Sequence, residues 1–301
     1  MNRRSFFKRL AVGVGATAGG GGLYLAADRR THRPALTHSE GCCEGAATQL
    51  FRDEGSLLPE NPDARQRAIE KSLNFDVHYA DDVIVPPEQM EILRSIANRL
   101  SRAQQIIGHG HFNLVSFEQL LDHARLFPKI GELPSREIDF MESVFDRDSR
   151  ELGFFGEKVL TSLTAHIADK DVKKIAGTGH YLLRGTPLER YEQIRRDVGE
   201  TITLTSGVRG MVKQFHLFLM KAVEVDGNLS QAARSLAPPG HSHHARGDFD
   251  VGKIGLGERN FTEDFAETDE YKRLIDLGYV EIRYEPNNPF GVRHEPWHVK
   301  I

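Results

Sequence analysis

The chain is poor in cysteine, in tryptophan and in long apolar runs. It holds two cysteines and one tryptophan in 301 residues. The cysteines, Cys42 and Cys43, are adjacent. Neighbouring Cα atoms lie about 3.8 Å apart, shorter than an ordinary disulfide spans. No disulfide framework is therefore expected, and a chain of this length needs none to bury a core. An excess of positive charge is missing too: the formal net charge is −4. That argues against nucleic acid, whose binding is driven by neutralising phosphates. There are no internal repeats. With 39% apolar and 27% charged residues, the composition is that of a globular protein of one large or two ordinary domains.

The one long weakly polar stretch is at the start. Asn2-Arg3-Arg4-Ser5-Phe6-Phe7-Lys8-Arg9 precedes a Gly/Ala-rich run from Leu10 to Ala27. A charged start, an apolar stretch and small residues before a cleavage point make a secretion signal. The Arg-Arg pair followed by Phe-Phe-Lys resembles a twin-arginine export signal, with Ala16-Thr17-Ala18 and Leu25-Ala26-Ala27 as cleavage points. The expected location is the periplasm or cell envelope, with a membrane tether if the segment is retained. Six glycines (Gly13, Gly15 and Gly19 to Gly22) make it a poor stable spanning helix. Removing residues 1–18 takes away four cations and no acids, and the net charge falls from −4 to −8.

Residues 28–74 read as a polar linker with at most one helix. Over 87–107 the apolar positions Leu93, Ile96, Ala97, Leu100, Ala103 and Ile107 form a helical stripe. Ser116-Phe117-Glu118-Gln119 is a capping-box pattern opening a second helix, and Ser135 opens a third. Residues 75–165 are thus expected to be a helical domain. After Lys173 the pattern changes to α+β with short strands. Strands are expected at Ile202 to Thr205, Phe249 to Ile254, Tyr279 to Tyr284 and His294 to Ile301. Helices are expected at Gln214 to Val223 and Thr268 to Leu277. The organisation expected is a signal at 1–27, a linker at 28–74, a helical domain at 75–165 and a second domain at 166–301.

Fourteen histidines is a high count, and several cluster. Residues 241–250 hold His241, His243, His244, Asp248 and Asp250, and Glu295-Pro296-Trp297-His298 follows near the end. A catalytic zinc site takes about three ligands from His and carboxylate and keeps one position for water. A nearby carboxylate then accepts the water's proton. These segments supply such parts.

Three blocks resemble the zinc D-Ala-D-Ala carboxypeptidases, the VanY-like branch of the LAS metallopeptidases, which also includes lysostaphin-type peptidases and the hedgehog signalling domain. They are Ser206-Gly207-Val208-Arg209 with Gln214, then Pro239-Gly240-His241-Ser242-His243-His244-Ala245-Arg246-Gly247 with an aspartate after it, then Glu295-Pro296-Trp297-His298. They stand in family order and span about residues 170–301. The resemblance implies a small antiparallel-sheet zinc peptidase domain acting on peptidoglycan stem peptides or their precursors, most of all at the terminal D-Ala-D-Ala bond. A cross-link endopeptidase on the same site and a zinc-stabilised binding domain without turnover are the alternatives.

The resemblance also assigns roles. Zn²⁺ is held by His244, Asp250 and His298. Glu295 is the general base. Arg209 holds the substrate carboxylate or the developing oxyanion, and Gln214 and Ser242 contact substrate. One spacing departs from the family. Ser242 and Gly247 select His244, whereas counting back seven positions from Asp250 selects His243. His244 is the expected ligand with His243 the alternative, and Asp248 is a third option on the strand face of Asp250. A one-residue shift along a strand turns a side chain away unless a bulge absorbs it. Val208 stands where the family usually has an aromatic residue.

Other motifs read plainly. His109-Gly110-His111 is expected to be an exposed turn rather than a second metal site. Gly177-Thr178-Gly179-His180 lacks the lysine of a phosphate loop and reads as a turn. Asp146-Arg147-Asp148 with Glu157 has the spacing of a calcium loop, but Arg150 and Glu151 occupy its fifth-ligand and glycine positions. A plain helix connection is expected there. Trp297 is expected to pack beside the site.

Overall fold

The computed structural model describes residues 58–301. The proposed signal, Cys42 and Cys43, and most of the linker lie outside the described residues. The architecture is α+β, with helices preceding a small antiparallel sheet. None of the described helices is long and apolar enough to cross a membrane.

The helical part begins with α1 (Pro62–Leu73), which Asn61 caps by accepting from the Asp63 amide. Helix α2 (Met90–Ile107) follows the expected stripe: Leu93, Ile96, Ala97, Leu100 and Ala103 are its buried residues. The short α3 (His109–Phe112) leads to α4 (Phe117–Leu126), whose capping box forms as expected. The Ser116 hydroxyl accepts from the Gln119 amide at 3.2 Å, and the Gln119 side chain accepts from the Ser116 amide at 2.9 Å. Helix α5 (Ser135–Asp146) carries the buried Glu137, whose carboxylate pairs with Arg99 of α2 at 2.7 Å. The segment with calcium-loop spacing is a helix connection: Asp148 pairs with Arg150, and Glu157 pairs with Arg246.

Beyond it, β1 (Val172–Lys174) and β2 (Tyr181–Leu183) form a hairpin around the Gly177–His180 turn. Helix α6 (Thr186–Val198) has Pro near its start and Gly199 after its end, signals that the expected organisation left unread. Strand β3 (Ile202–Ser206) leads into α7 (Met211–Glu224), then the short α8 (Leu229–Ala233). Strand β4 (Phe249–Lys253), α9 (Asp269–Asp276, capped by Thr268) and β5 (His298–Val299) complete the order. The sheet runs β3-β4-β5, antiparallel throughout.

Two expected strands are shorter than the sequence suggests. Tyr279 to Tyr284 contributes only a bridge between Ile282 and Val299, and the last strand shrinks to His298–Val299. Pro286, Pro289 and Pro296 lie between them, and proline has no amide to give a ladder.

Helix α7 explains the packing. Nine of its fourteen residues are buried, so it is enclosed nearly all round. The largest apolar cluster joins Leu93, Ile96, Phe112, Leu120 and Met141 to Phe215, Phe218 and Leu219 of this helix. Each such side chain contributes roughly 1.5–3 kcal/mol on burial. The core thus runs across residue 165, and residues on either side of it share one apolar interior. A second cluster packs α6 and α9 against the sheet through Ile194, Leu204, Val251, Phe265 and Leu274.

Candidate metal centre

The sheet register assembles the centre. Asp250 in β4 lies opposite Ser206 of β3 on one side and His298 of β5 on the other. Directly opposed residues of antiparallel strands point to the same face, so Asp250 and His298 are brought together by pairing alone. The register slips between Leu204 and Ser206, leaving Thr205 as a bulge where the chain turns off the sheet.

The Ser206-Gly207-Val208-Arg209 turn has its own reason. A Cβ at Gly207 would sit 2.0 Å from the Tyr181 carbonyl oxygen of the hairpin, so only glycine fits. Val208 donates to that same carbonyl at 2.8 Å, and Gly210 donates to Asn113 O at 2.7 Å. The turn is thereby pinned to both the hairpin and the helical part. Val208 itself is buried with Leu114 and Val172.

The block between Ser242 and Gly247 is not a strand. His243–Ala245 is one turn of 3-10 helix, so strand alternation does not govern which histidine faces Asp250. Gly247, at φ 126°, lets the chain re-enter β4. The structure brings His244 to Asp250 and His298: one donor atom from each lies within 4.8 Å of the others, the one such three-residue group among the described residues. His243 instead lines a separate small recess with Arg283, Tyr284 and Phe290.

The donor chemistry fits a cation. Nδ1 of His244 lies 2.8 Å from the Gly207 carbonyl, which fixes that nitrogen as the donor and leaves Nε2 with its lone pair. That Nε2 lies 3.2 Å from Asp250 Oδ1. Both atoms are buried with no hydrogen-bond partner, two acceptors facing one another. Burial, with Arg209 nearby, pushes His244 below the usual histidine range and keeps the ring neutral, the form that ligates metal. Asp250 is fully buried, which opposes its charge, but the Arg209 guanidinium and the His298 ring outweigh that and hold its carboxyl below the usual range.

His298 is oriented by Asp248. Its Nε2 lies 3.0 Å from Asp248 Oδ2, and its Nδ1 faces Asp250 Oδ1 at 3.4 Å and Glu295 Oε2 at 3.2 Å. Burial disfavours the charged ring, yet the bonds to Asp248 and Glu295 prevail and raise its pKa to about 9. Positive charge is therefore favoured between these carboxylates, and a metal on Nδ1 would take the place of that proton. Asp248 is occupied elsewhere: Arg283 and the Ile301 amide also donate to it. It is a carboxylate behind a candidate ligand histidine, an arrangement that fixes the ring's tautomer.

Glu295 and Asp250 line a cavity of about 440 Å³ together with Arg209, Lys213, His180 and Trp297. Arg209 donates to Ser206 Oγ at 2.9 Å and to Asp250 Oδ2 at 2.6 Å. Gln214 and Ser242 are not among the lining residues. Gln214 is buried and donates to the Ala237 carbonyl at 2.5 Å. Trp297 is buried, its ring 5.0 Å from the Arg293 guanidinium.

Several lining residues were given no role in the site by the sequence. His180 of the turn and His109 of α3 meet edge to face, with ring centroids 5.4 Å apart. Burial, then His109 and Arg209, lowers His180 to about 4, so its imidazole is neutral. Lys213 is buried beside Arg209 and lowered to about 8.

Residues 186–301 match the model of the VanY family, described as D-alanyl-D-alanine carboxypeptidase. Among curated proteins no sequence matches significantly. Three solved structures are similar over part of the chain. One is a variant of a vancomycin-resistance D,D-pentapeptidase VanY from a VanB-type cassette, complexed with Zn(II). It is 22% identical, over 43% of this chain and 76% of its own, at a TM-score of 0.33. VanYB in complex with D-alanine-D-alanine is 20% identical, over 48% and 84%, at 0.34. The LD-carboxypeptidase LdcB is 24% identical, over 42% and 61%, at 0.35. Residues 186–301, which carry Arg209, His244, Asp250, Glu295 and His298, are thus similar to the VanY family of D-alanyl-D-alanine carboxypeptidases.

Proposed function

We propose that this protein is a zinc-dependent peptidase that hydrolyses peptidoglycan stem peptides, with the terminal D-Ala-D-Ala bond as its target. The observation that carries this reading is the convergence of His244, Asp250 and His298 beside the cavity-lining carboxylate of Glu295. The three residues would hold the ion, and Asp248 would orient His298 behind it. A bound zinc lowers the pKa of its water to about 7 and polarises a carbonyl. Glu295 accepts the proton of the attacking water and returns it to the leaving amine. Arg209 supplies fixed positive charge at the cavity wall, where negative charge builds in the transition state. Action on this substrate implies the cell envelope, and the Arg3-Arg4 pattern suggests the export route.

The test is zinc content together with D-alanine release from a muramyl pentapeptide. Stoichiometric zinc and stereospecific release are expected. Glu295→Gln should retain the metal and lose roughly 10²–10⁴-fold in kcat. Zinc-loaded protein that releases nothing from stem peptides or intact sacculi would overturn the reading.

A further inference from the structure

The cavity wall carries four cations, Arg209, Lys213, Lys221 and Arg293. Two of them have a carboxylate beside them: Arg209 pairs with Asp250 at 2.6 Å and Lys221 with Glu224 at 2.8 Å. Arg293 and Lys213 have none among the described residues, but Arg293 is only half-buried, against the Phe75 and Trp297 rings, whereas Lys213 is buried. Its Nζ donates to Gln104 Oε1 at 2.6 Å and stands 6.0 Å from the Phe112 ring centroid. The residue is only 7% exposed. An ammonium enclosed to that degree without a counter-charge is costly, and buried charges in folded proteins are ordinarily paired. A neutral amide does not pair it. Gln104 lies on α2, outside the family-matched residues, and it fixes the position of Nζ while leaving the charge uncompensated. Among the described residues, the groups around the ammonium are Arg209, His109, His180, His216 and the Phe112 face, none of them acidic.

We propose that Lys213, positioned by Gln104, is a carboxylate-binding subsite of the cavity, separate from Arg209 and from the metal donors. It rests on the peptide substrate of the preceding reading and deepens it. Arg209 is engaged by Ser206 and Asp250, and Gln214 by the Ala237 carbonyl. The enclosed cation that a substrate anion would neutralise is therefore Lys213. A peptide brings such a carboxylate from its C-terminus or from an acidic side chain. The helical part then has a definite task, since it holds in place the group that reads substrate charge.

The experiment uses the full zinc-loaded chain carrying Glu295→Gln, so that bound peptide is not consumed. Calorimetry measures binding of a synthetic stem pentapeptide in three forms: free acid, C-terminal amide, and side-chain amide with the C-terminus free. Amidating the carboxylate that Lys213 reads should weaken binding by about 10–100-fold, the range of a charged hydrogen bond. The arm that responds identifies the source. With Lys213→Met added, the same amidation should change binding by less than about twofold, while Lys213→Arg keeps most of the preference. Lys213→Gln, which retains a polar terminus for Gln104, serves if the methionine variant does not fold. The proposal is overturned if amidation costs as much without Lys213 as with it. It is overturned also if Arg293→Gln rather than Lys213→Met removes the preference, or if no form binds. Turnover by the chain with Glu295 intact judges the peptidase reading separately. Charge-selective binding without any product would end that reading and leave this one standing.

Discussion

Two groups of residues meet on the cavity wall, and they are opposites. Around His298 stand the carboxylates of Asp248, Asp250 and Glu295, a surplus of acid that favours a cation. Around Lys213 there is no acid among the described residues, where Gln104, aromatic and imidazole rings and Arg209 surround it. The acidic group comes from the sheet and the chain's last residues. The basic group is completed by α2 and α3, far earlier in the chain. On the proposed reading the first group would hold a metal and move a proton, and the second would hold an anion carried by the peptide.

The contrast is open to breakage. The largest stability effect is expected from Asp82→Ala. Asp82 and Arg234 form an enclosed pair, with side chains 0% and 3% exposed, at 2.9 Å. Arg234 also donates to the carbonyls of Phe75 and Val77, so this pair ties residues 75–82 to the C-terminal part. Removing the acid leaves a buried charge and should cost about 3–5 kcal/mol in urea denaturation. Burial opposes the Asp82 charge, but hydrogen bonds from Arg234, Asn228 and the Tyr79 amide outweigh it and lower its pKa. The sign follows: its contribution is full above the unfolded carboxylate range and is lost as pH falls through the depressed folded value. A variant equally stable at pH 7 would show that the two parts are held together by apolar packing alone.

Next in size is Asp248→Asn. The change keeps the shape but weakens the hold on His298 Nε2, and zinc affinity should fall about 10–100-fold. Competition with a chelator measures this. An unchanged affinity would reduce Asp248 to a partner of Arg283 and the chain terminus.

The smallest effect sharpens the basic side. Burial, followed by the nearby Arg209 charge, lowers Lys213 to about 8. Its positive charge is then lost as pH rises through that value. The preference of kcat/KM for free acid over amide should decline by a few fold between about pH 7 and pH 9. A preference flat across that range would contradict a role for the ammonium.

Much of this was readable in order along the chain. Ser116 and Gln119 announce a helix start because a capping box is local chemistry. The α2 stripe announces a buried face because helical period is local geometry. Arg209, Asp250, Glu295 and His298 stand in family order, and sheet pairing sets Asp250 beside His298, with Glu295 three residues before it. The histidine choice was only half legible: Ser242 and Gly247 selected His244, while the spacing to Asp250 selected His243. Strand alternation was the wrong rule for residues 243–245, which form a 3-10 turn, and the turn presents His244. Lys213 and Gln104 were not legible, because neither belongs to a motif and 109 positions separate them.

By itself the sequence determined which residue types are available and where helices begin, because caps, periods and proline act over a few residues. It also fixed the order of the acid and histidine blocks. Tertiary structure alone decided which imidazole faces Asp250, that Asp248 stands behind His298, and that a lysine of α7 rests on a glutamine of α2. Those outcomes depend on burial and on contacts between segments far apart in the chain, and a charge acquires its meaning only from what the folded protein places beside it.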